Sequence, residues 1–161
     1  MAPELLRSHL AHDPDDGFVH HYLAYLLARA SQVVSGEFHA SLKAWRLSVA
    51  EWRILACLHG TRGLGIGELA TMALMRQPRV SRIVDRMERA GLIERRPHPG
   101  DRRRVVLFLT PAGYARVEPA IAAAKAHEAR VLGPFSAQER ATIKEGLELL
   151  IARSAGPERN S

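Results

Sequence analysis

The sequence contains one cysteine and no long apolar run, and each deficit excludes a class of protein. Cys57 alone cannot form an intrachain disulfide, which fits a reducing cytoplasm. No apolar stretch approaches the roughly 18–20 residues that are needed to cross a bilayer. The N-terminus lacks the cationic start and apolar segment of a secretory signal. We therefore expect a cytoplasmic protein.

Motifs of catalysis are also missing. The sequence has no glycine-rich phosphate loop, no nucleophile elbow and no paired carboxylates in an apolar setting. We predict that the chain is not an enzyme, with no catalytic residue and no cofactor. Its composition, 47% hydrophobic and 25% charged, is typical of a folded globular domain.

Lysine is scarce, whereas arginine is abundant and concentrated in one segment. Lys and Arg total 23 against 17 Asp and Glu, giving a net charge of +6, and 20 of these cations are arginine. Residues 76–104 hold ten arginines and four acidic residues, so this window carries the whole excess of charge. Such a window predicts a polyanionic partner: DNA, RNA or an anionic membrane surface.

Apolar periodicity and turn residues predict six helices and one β-hairpin. Ser48 with Glu51, and Ser136 with Glu139, have the spacing of capping boxes, and Thr110 has that of an N-cap residue. Residues 1–16 are predicted to be a loose lead-in and 155–161 a frayed tail. The helices are predicted at 18–42, 52–59 (opened by the first capping box), 67–74, 77–90, 112–132 and from the second capping box to 153, and the strands at 92–96 and 105–109.

The order of these elements predicts a mainly α, winged helix-turn-helix protein. Residues 48–111 hold three helices followed by the hairpin, which would be the wing of a DNA-binding lobe. The outer helices, within 18–47 and 112–153, carry more apolar surface than that lobe can cover, and such surface usually finds a partner chain. We predict one chain of residues 1–161 whose outer helices are dimerisation helices, intertwined in a homodimer.

The helix within 76–90 has one apolar and one cationic face. Its apolar residues Val80, Ile83, Val84 and Met87 fall on one side of a helical wheel, as for a face buried in a core. A major groove accepts an α-helix, and the first turns of a recognition helix usually reach base edges. We predict Arg contacts to guanine or phosphate, Gln to adenine and Ser to phosphate. The candidates on this helix are Gln77, Pro78, Arg79, Ser81, Arg82 and Arg86.

The same helix also carries an acid, Asp85, and its periodicity has an alternative interpretation. Asp85 lies three and four residues from Arg82 and Arg89, so we expect it to pair with both. A solvated, ion-paired surface helix would show the same periodicity. That interpretation is disfavoured because the acids do not balance the bases and a cationic hairpin follows directly.

The predicted hairpin carries arginines on both strands. Arginine suits a narrow minor groove, where the negative potential is enhanced. We expect Asp101 to hold the tip by accepting hydrogen bonds from a neighbouring Arg or from loop amides, so that Arg103 or Arg102 enters the minor groove. The alternative is a flexible cationic loop that touches only phosphates. The hairpin candidates for DNA binding are Arg95, Asp101, Arg102, Arg103 and Arg104.

Several motifs together resemble the MarR family of bacterial transcriptional regulators. They are Leu69-Ala70, the segment from Pro78 to Arg95, Gly100-Asp-Arg-Arg103 and Leu109-Thr-Pro-Ala-Gly113, with the Asp-x-Arg wing signature on Asp101 and Arg103. The resemblance covers about residues 18–153. It implies a winged-helix homodimer on pseudo-palindromic operator DNA, usually a repressor released by a small ligand. It also implies a bacterial cytoplasmic protein, nucleoid-associated when bound, with no membrane partner.

Similar proteins commonly bind aromatic acids between the dimer helices and the DNA-binding lobe. A cation with aromatic walls suits such a ligand through ion pairing and stacking. The resemblance makes an aromatic carboxylate of the benzoate, cinnamate or nicotinate type, or a CoA thioester, a plausible effector. The alternative is that the candidate effector residues, named next, form solvated surface or dimer interface. The candidate effector residues are His21, Tyr25, Arg29 and Gln32 on the first helix, with Trp45, Arg46 and Trp52 around the start of the second.

Other functions fit the sequence less well. His20, His21 and His39 lack the tight spacing of a metal site. Cys57 lies in an apolar stretch where a buried thiol stays protonated and inert, which disfavours redox sensing. A nonspecific architectural or RNA-binding protein could use the same charge without sequence readout, and this is the alternative to a sequence-specific regulator.

Overall fold

The computed structural model describes residues 17–98 and 100–154, except for the side chain of Arg102. The lead-in and tail predicted from the sequence lie outside the described residues. The chain divides into two compact units, one ending at His39 and the other beginning at Ala40. The helices are α1 Leu23–Ser41, α2 Val49–Leu58, α3 Ile66–Met72, α4 Gln77–Arg89, α5 Pro111–Val131 and α6 Ala137–Ser154, and the strands are β1 Ile93–His98 and β2 Asp101–Leu109.

The first unit holds a short 3-10 turn, Phe18–His20, and most of α1. The predicted start of the first helix at residue 18 was five residues early. The amides of residues 20–22 donate to carbonyls three residues back, at 3.0–3.3 Å, which is 3-10 geometry. The rings of Phe18 and Tyr22 stack at 5.0 Å, and most apolar side chains of α1 are exposed.

The second unit follows the predicted order of helices and hairpin, and local caps explain its boundaries. Ser48 N donates to Glu51 Oε2 at 3.0 Å, and Glu51 N donates back to Ser48 Oγ at 3.2 Å. Ser136 and Glu139 repeat this capping box before α6. Each such cap typically stabilises a helix by about 1 kcal/mol.

The core of the second unit lies between the helices of the lobe and the hairpin. The predicted buried face of α4 is confirmed, since Val80, Ile83, Val84 and Met87 are all buried. They belong to a core whose least exposed large side chains are Leu42, Ile54, Leu55, Leu58, Leu69, Val80, Val84, Ile93, Val106 and Val117. This packing leaves the opposite side of α4 exposed.

The hairpin is longer than predicted, and a third segment joins it. β1 and β2 pair antiparallel from Ile93↔Leu109 to Pro97↔Val105, with a register shift before His98. Leu64 pairs with Leu107 through two backbone hydrogen bonds of 2.9 and 3.2 Å. No sequence pattern predicted this bridge, because the two residues are distant in the chain.

The base of the hairpin is fixed to the start of α5. Thr110 Oγ1 accepts from Gly113 N at 3.0 Å and donates to the carbonyl of Gly91 at 2.6 Å. A Cβ on Gly113 would overlap the carbonyl oxygen of Leu92, so only glycine allows this approach. The N-cap predicted at Thr110 is thus confirmed, and it also anchors the wing.

The C-terminal helices are largely uncovered in the single chain. Along α5 only Gly113, Val117 and Ala120 are buried, and among the described residues of α6 none is. The exposed apolar side chains of α6 are Ile143, Leu147, Leu149 and Ile151. No helix in the described ranges has the length and apolar content to span a membrane.

Candidate nucleic-acid interface

The free face of α4 carries the cations that were predicted from the sequence. Pro78 lies in the first turn, where its missing amide leaves no intrahelical hydrogen bond unmade. The side chains of this face are exposed at Gln77, Pro78, Arg79, Arg82 and Arg86, and half-buried at Ser81. The structure therefore brings the predicted recognition residues together on one exposed surface.

A groove of about 540 Å³ separates this face from the start of α2. Its walls are Ser48, Val49 and Ala50 at the N-terminus of α2, and Arg79, Arg82, Ile83 and Arg86 on α4. A helix N-terminus beside three guanidinium groups creates a positive potential that attracts phosphate.

Arg86 is paired within this groove. Its Nη2 donates to Glu51 Oε1 at 3.0 Å, so the capping residue of α2 also contacts α4. Burial acts to raise the pKa of Glu51, but hydrogen bonds from Ser48 and Arg86, together with the Arg86 charge, outweigh it and lower that pKa. Glu51 is thus an anion beside a groove whose charged lining residues, Arg79, Arg82 and Arg86, are all cations.

The expected partners of Asp85 were wrong. Arg82 Nε donates to the carbonyl of Pro78 at 3.3 Å, and Arg89 Nε donates to the backbone carbonyl of Asp85 at 3.2 Å. The Asp85 carboxylate instead accepts from Arg95 Nη2 on β1 at 2.7 Å. The strand β1 runs beside α4, so the guanidinium of Arg95 reaches the Asp85 carboxylate more directly than Arg82 or Arg89 does along the helix.

Arg95 joins the wing to α4 through two carboxylates. Besides Asp85 it forms an ion pair with Glu88, also on α4. One guanidinium therefore pairs with both carboxylates. The sequence predicted Arg95 only as a DNA contact. The structure shows that it also links β1 to α4.

The tip of the wing is closed by local hydrogen bonds. Asp101 Oδ1 accepts from Arg103 N at 3.0 Å, which confirms that Asp101 holds the loop through a backbone amide. His98 Nδ1 accepts from Gly100 N at 3.0 Å on the other side of the turn. Arg103 and Arg104 are exposed, and Arg104 lies 3.6 Å from Glu68. The side chain of Arg102 lies outside the described part of the structure.

A second cavity, of about 490 Å³, lies at the turn that leads into α4. It is lined by Leu74, Met75, Arg76, Pro78, Arg79 and Arg82. Leu74 has a positive φ of 55° and is exposed. Sequence reasoning missed this residue, because an apolar side chain after a short helix gives no local signal of a left-handed conformation.

The candidate effector residues fall in both units. In the first, Tyr25, Arg29 and Gln32 are exposed on α1, and His21 precedes the helix. In the second, Trp45 and Arg46 line a cavity of about 320 Å³ with Ala44, Ala115, Arg116 and Pro119. Arg116 Nη2 donates to the carbonyl of Arg46 at 3.4 Å. Trp52 is half-buried on α2 and is not part of that lining.

Cys57 is half-buried, somewhat more exposed than expected. Burial raises the pKa of its thiol, and the nearby charge of Arg53 offsets this only in part. The thiol therefore stays protonated at neutral pH, the unreactive form. Within residues 17–98 and 100–154 no three potential metal ligands come together.

Comparison with known proteins identifies relatives over most of the chain. The family model described as "MarR family" matches residues 47–105. A MarR family transcriptional regulator from Silicibacter pomeroyi DSS-3 is 42% identical, with a TM-score of 0.75, covering 85% of this chain and 98% of that one.

Two further relatives are named as repressors. The homoprotocatechuate degradative operon repressor of Escherichia coli is 27% identical, over 83% of this chain and 90% of its own. The transcriptional repressor CouR, in a structure bound to a 23-mer DNA duplex, is 28% identical with a TM-score of 0.69, covering 83% of this chain and 95% of that one.

Proposed function

The chain belongs to the MarR family of DNA-binding transcriptional regulators, and from this premise we propose that it is a homodimeric repressor. It binds a pseudo-palindromic operator and leaves it when a small aromatic acid binds. The observation that carries the proposal is the exposed cationic face of α4 beside a wing whose tip is closed by Asp101.

The face of α4 supports a division of tasks in the major groove. Arg79 and Arg82 are exposed and lie near the start of the helix, so they reach guanine or a phosphate. Gln77 reaches adenine, and the half-buried Ser81 reaches a phosphate. Arg86 must exchange Glu51 for DNA, because its guanidinium is already paired.

The wing supplies contacts in the minor groove. Arg103 or Arg102 enters it, while Asp101 keeps the loop in shape. Arg104 exchanges its ion pair with Glu68 for a flanking phosphate. Arg95 acts mainly by holding the wing to α4 through Asp85 and Glu88, so its own DNA contact is secondary.

The effector proposal rests on the cavity beside Trp45. Trp45 supplies an aromatic wall, and Arg46 and Arg116 supply cations that suit a carboxylate. The relative named for a homoprotocatechuate degradative operon supports an aromatic compound as the effector. The benzoate, cinnamate or nicotinate type, or a CoA thioester, is what the family resemblance adds to this proposal. Trp52, in the same unit, stays a candidate from the sequence. His21, Tyr25, Arg29 and Gln32 belong to the first unit and stay candidates from the sequence alone.

The decisive experiment measures specificity against salt. Binding of the wild-type protein to duplexes selected from a random-sequence pool is compared with binding to scrambled duplex between about 50 and 200 mM salt. A sequence-specific regulator gives a ratio of roughly 10³ or more at physiological salt. Equal affinity for both duplexes would leave a nonspecific architectural or RNA-binding protein instead.

A double variant checks whether α4 and the wing carry the binding to DNA. Arg82→Ala with Arg103→Ala removes one contact from α4 and one from the wing, so specific binding should be lost. The oligomeric state, measured by sedimentation, should stay unchanged, since both residues lie on the exposed face of the lobe. A variant that dissociates would place these residues in the dimer scaffold rather than at the DNA.

A further inference from the structure

The turn between α3 and α4 places an exposed leucine in a left-handed conformation. Leu74 has φ 55° and a side chain that is 79% exposed. Its amide donates to the carbonyl of Thr71 at 3.2 Å, and the amide of Met75 donates to that of Ala70 at 3.0 Å. These two hydrogen bonds form a Schellman motif with Leu74 at the position where glycine is usual.

The same chain shows the ordinary solution at the end of α4. Gly91 has φ 71°, its amide donates to the carbonyl of Glu88, and the amide of Leu92 donates to that of Met87, both at 2.9 Å. A leucine in this conformation is strained, because its Cβ crowds the following carbonyl. Burial does not compensate for the strain at Leu74, since most of the side chain faces outward.

The surroundings of Leu74 indicate what it contacts. It lines the 490 Å³ cavity together with the cations Arg76, Arg79 and Arg82 and the apolar ring of Pro78. Such a surface suits a ligand that combines a negative charge with a small apolar group. A thymidine in duplex DNA has both, since its phosphate lies on the backbone and its C5-methyl group projects into the major groove.

We propose that Leu74 contacts a thymine methyl group in the major groove, beside the bases that the first turn of α4 reads, and so determines part of the operator preference. This inference rests on the proposed function, because it needs α4 to lie in the groove. The left-handed turn brings Leu74 forward beside Arg79 and Arg82, whose guanidinium groups hold the adjacent phosphates. The strain is retained because glycine at this position would lack the side chain that makes the contact.

The test uses uracil in place of thymine, which removes only the methyl group. The preferred duplex is selected from a random-sequence pool by the wild-type protein, and each thymine is then replaced in turn. At one thymine in each half-site, uracil should weaken wild-type binding by about threefold to fivefold. Leu74→Gly should bind the thymine duplex correspondingly less well and should not distinguish uracil at that position.

Two further readouts separate a contact from a change of fold. Leu74→Gly relieves the strain, so its Tm should rise by roughly 2–4 °C while its affinity falls. Leu74→Ala keeps a Cβ but loses the reach and should bind as weakly as the glycine variant. Leu74→Met keeps an apolar side chain of similar reach and should restore most of the affinity and the sensitivity to uracil.

Equal affinity of Leu74→Gly and wild type for the selected duplex would overturn the inference. So would a wild-type protein indifferent to uracil at every position, or a glycine variant that still responds to it. A wild-type protein that selects no duplex from the pool would overturn the proposed function itself. The two failures are therefore distinguishable.

Discussion

Single residues at the interface serve both stability and recognition, and Glu51 is the clearest case. Its carboxylate caps α2 through Ser48 and pairs with Arg86 of α4 at 3.0 Å. A polyanion approaching this groove meets one fixed negative charge among cations. Glu51 therefore stabilises the fold while opposing DNA binding.

Glu51→Gln tests this double role, because glutamine keeps the shape of a capping-box residue without its charge. Stability at neutral pH should fall by up to about 1 kcal/mol, since charge-assisted hydrogen bonds are replaced by neutral ones. Affinity for the selected duplex should rise about twofold to fivefold, since Arg86 is released and an anion is removed. Thermal unfolding and fluorescence anisotropy measure the two effects.

The lowered pKa of Glu51 determines how its contribution to stability depends on pH. The pKa is lowered in the fold from its ordinary value of 4.5, so the stabilisation is complete above that value and is lost as the pH falls through the folded pKa. The stability difference between wild type and Glu51→Gln should therefore shrink below about pH 4.5. A stability difference that grew as the pH fell would contradict a stabilising role for the ionised Glu51 carboxylate.

Glu139 offers a matched control in the same motif. It caps α6 through Ser136, and the hydrogen bonds from Ser136 lower its pKa, as those at Glu51 do. Unlike Glu51, it lies outside the cationic lobe. Glu139→Gln should reduce stability with the same sign of pH dependence and leave DNA affinity unchanged. An equal gain in affinity for both variants would point to net charge alone.

At the scale of elements, Arg95 joins β1 to α4, and its role separates from that of a phosphate contact. Arg95→Ala removes ion pairs to Asp85 and Glu88 and leaves both carboxylates unpaired near DNA. Because the pairs are partly exposed, we expect a stability loss of only about 0.5–1 kcal/mol. The affinity should fall by about threefold to tenfold, since the wing is then no longer held to α4 by these pairs.

The salt dependence distinguishes the two roles of Arg95. Removing one phosphate contact reduces the slope of log K against log salt by about 0.9, which is the result expected for Arg82→Ala. Arg95→Ala should keep the wild-type slope, because it alters the placement of the wing and keeps the number of phosphates that are neutralised. A slope reduced as much as in Arg82→Ala would return Arg95 to the set of direct contacts.

Gly113 sets how closely α5 approaches the base of the wing. Gly113→Ala forces its methyl group against the carbonyl of Leu92 and should destabilise the protein by about 2–3 kcal/mol. Gly146 on α6 is the matched control, because a Cβ there meets nothing within 4 Å. Gly146→Ala should stabilise the protein by about 0.5–1 kcal/mol. Denaturant unfolding of both variants measures the contrast, and equal effects would contradict it.

The elements that sequence reasoning predicted well depend on local signals. Capping boxes, the proline at the start of α4 and the apolar period of its buried face each act within a few residues. The partner of Asp85 and the Leu64↔Leu107 bridge could not be predicted, because they depend on how distant segments meet. Leu74 was missed because the same backbone motif usually carries glycine, and its side chain gives no signal of the exception.

At the scale of the whole molecule, charge and apolar surface occupy different parts of the chain. The basic window, 76–104, forms α4 and the wing, whereas the exposed apolar side chains concentrate on α1 and α6. The sequence predicted this separation because it is a matter of composition. It could not predict which effector candidates share a cavity, since Trp45 and Arg46 are joined there by Arg116 and Pro119 from α5.

The uncovered face of α6 leads to a prediction about assembly. Leu147 and Ile151 are one helical turn apart and are 43% and 66% exposed in the single chain. In the proposed homodimer such a face is covered by the partner, so Leu147→Glu with Ile151→Glu places four carboxylates in an apolar interface. Burying unpaired charges is costly, and sedimentation should show a monomer at concentrations where the wild type is a dimer.

The same variant separates assembly from DNA contact. A monomer binds one half-site at a time, and it forgoes the gain from a second, tethered site, which is often 10²-fold or more. Its affinity for the selected duplex should therefore fall by at least that factor, while its affinity for an isolated half-site stays that of a single lobe. Leu147→Met with Ile151→Met keeps the surface apolar and should remain dimeric and bind fully. A glutamate variant that stays dimeric would move the interface away from α6, whereas a monomer with undiminished affinity would show that one lobe suffices for recognition.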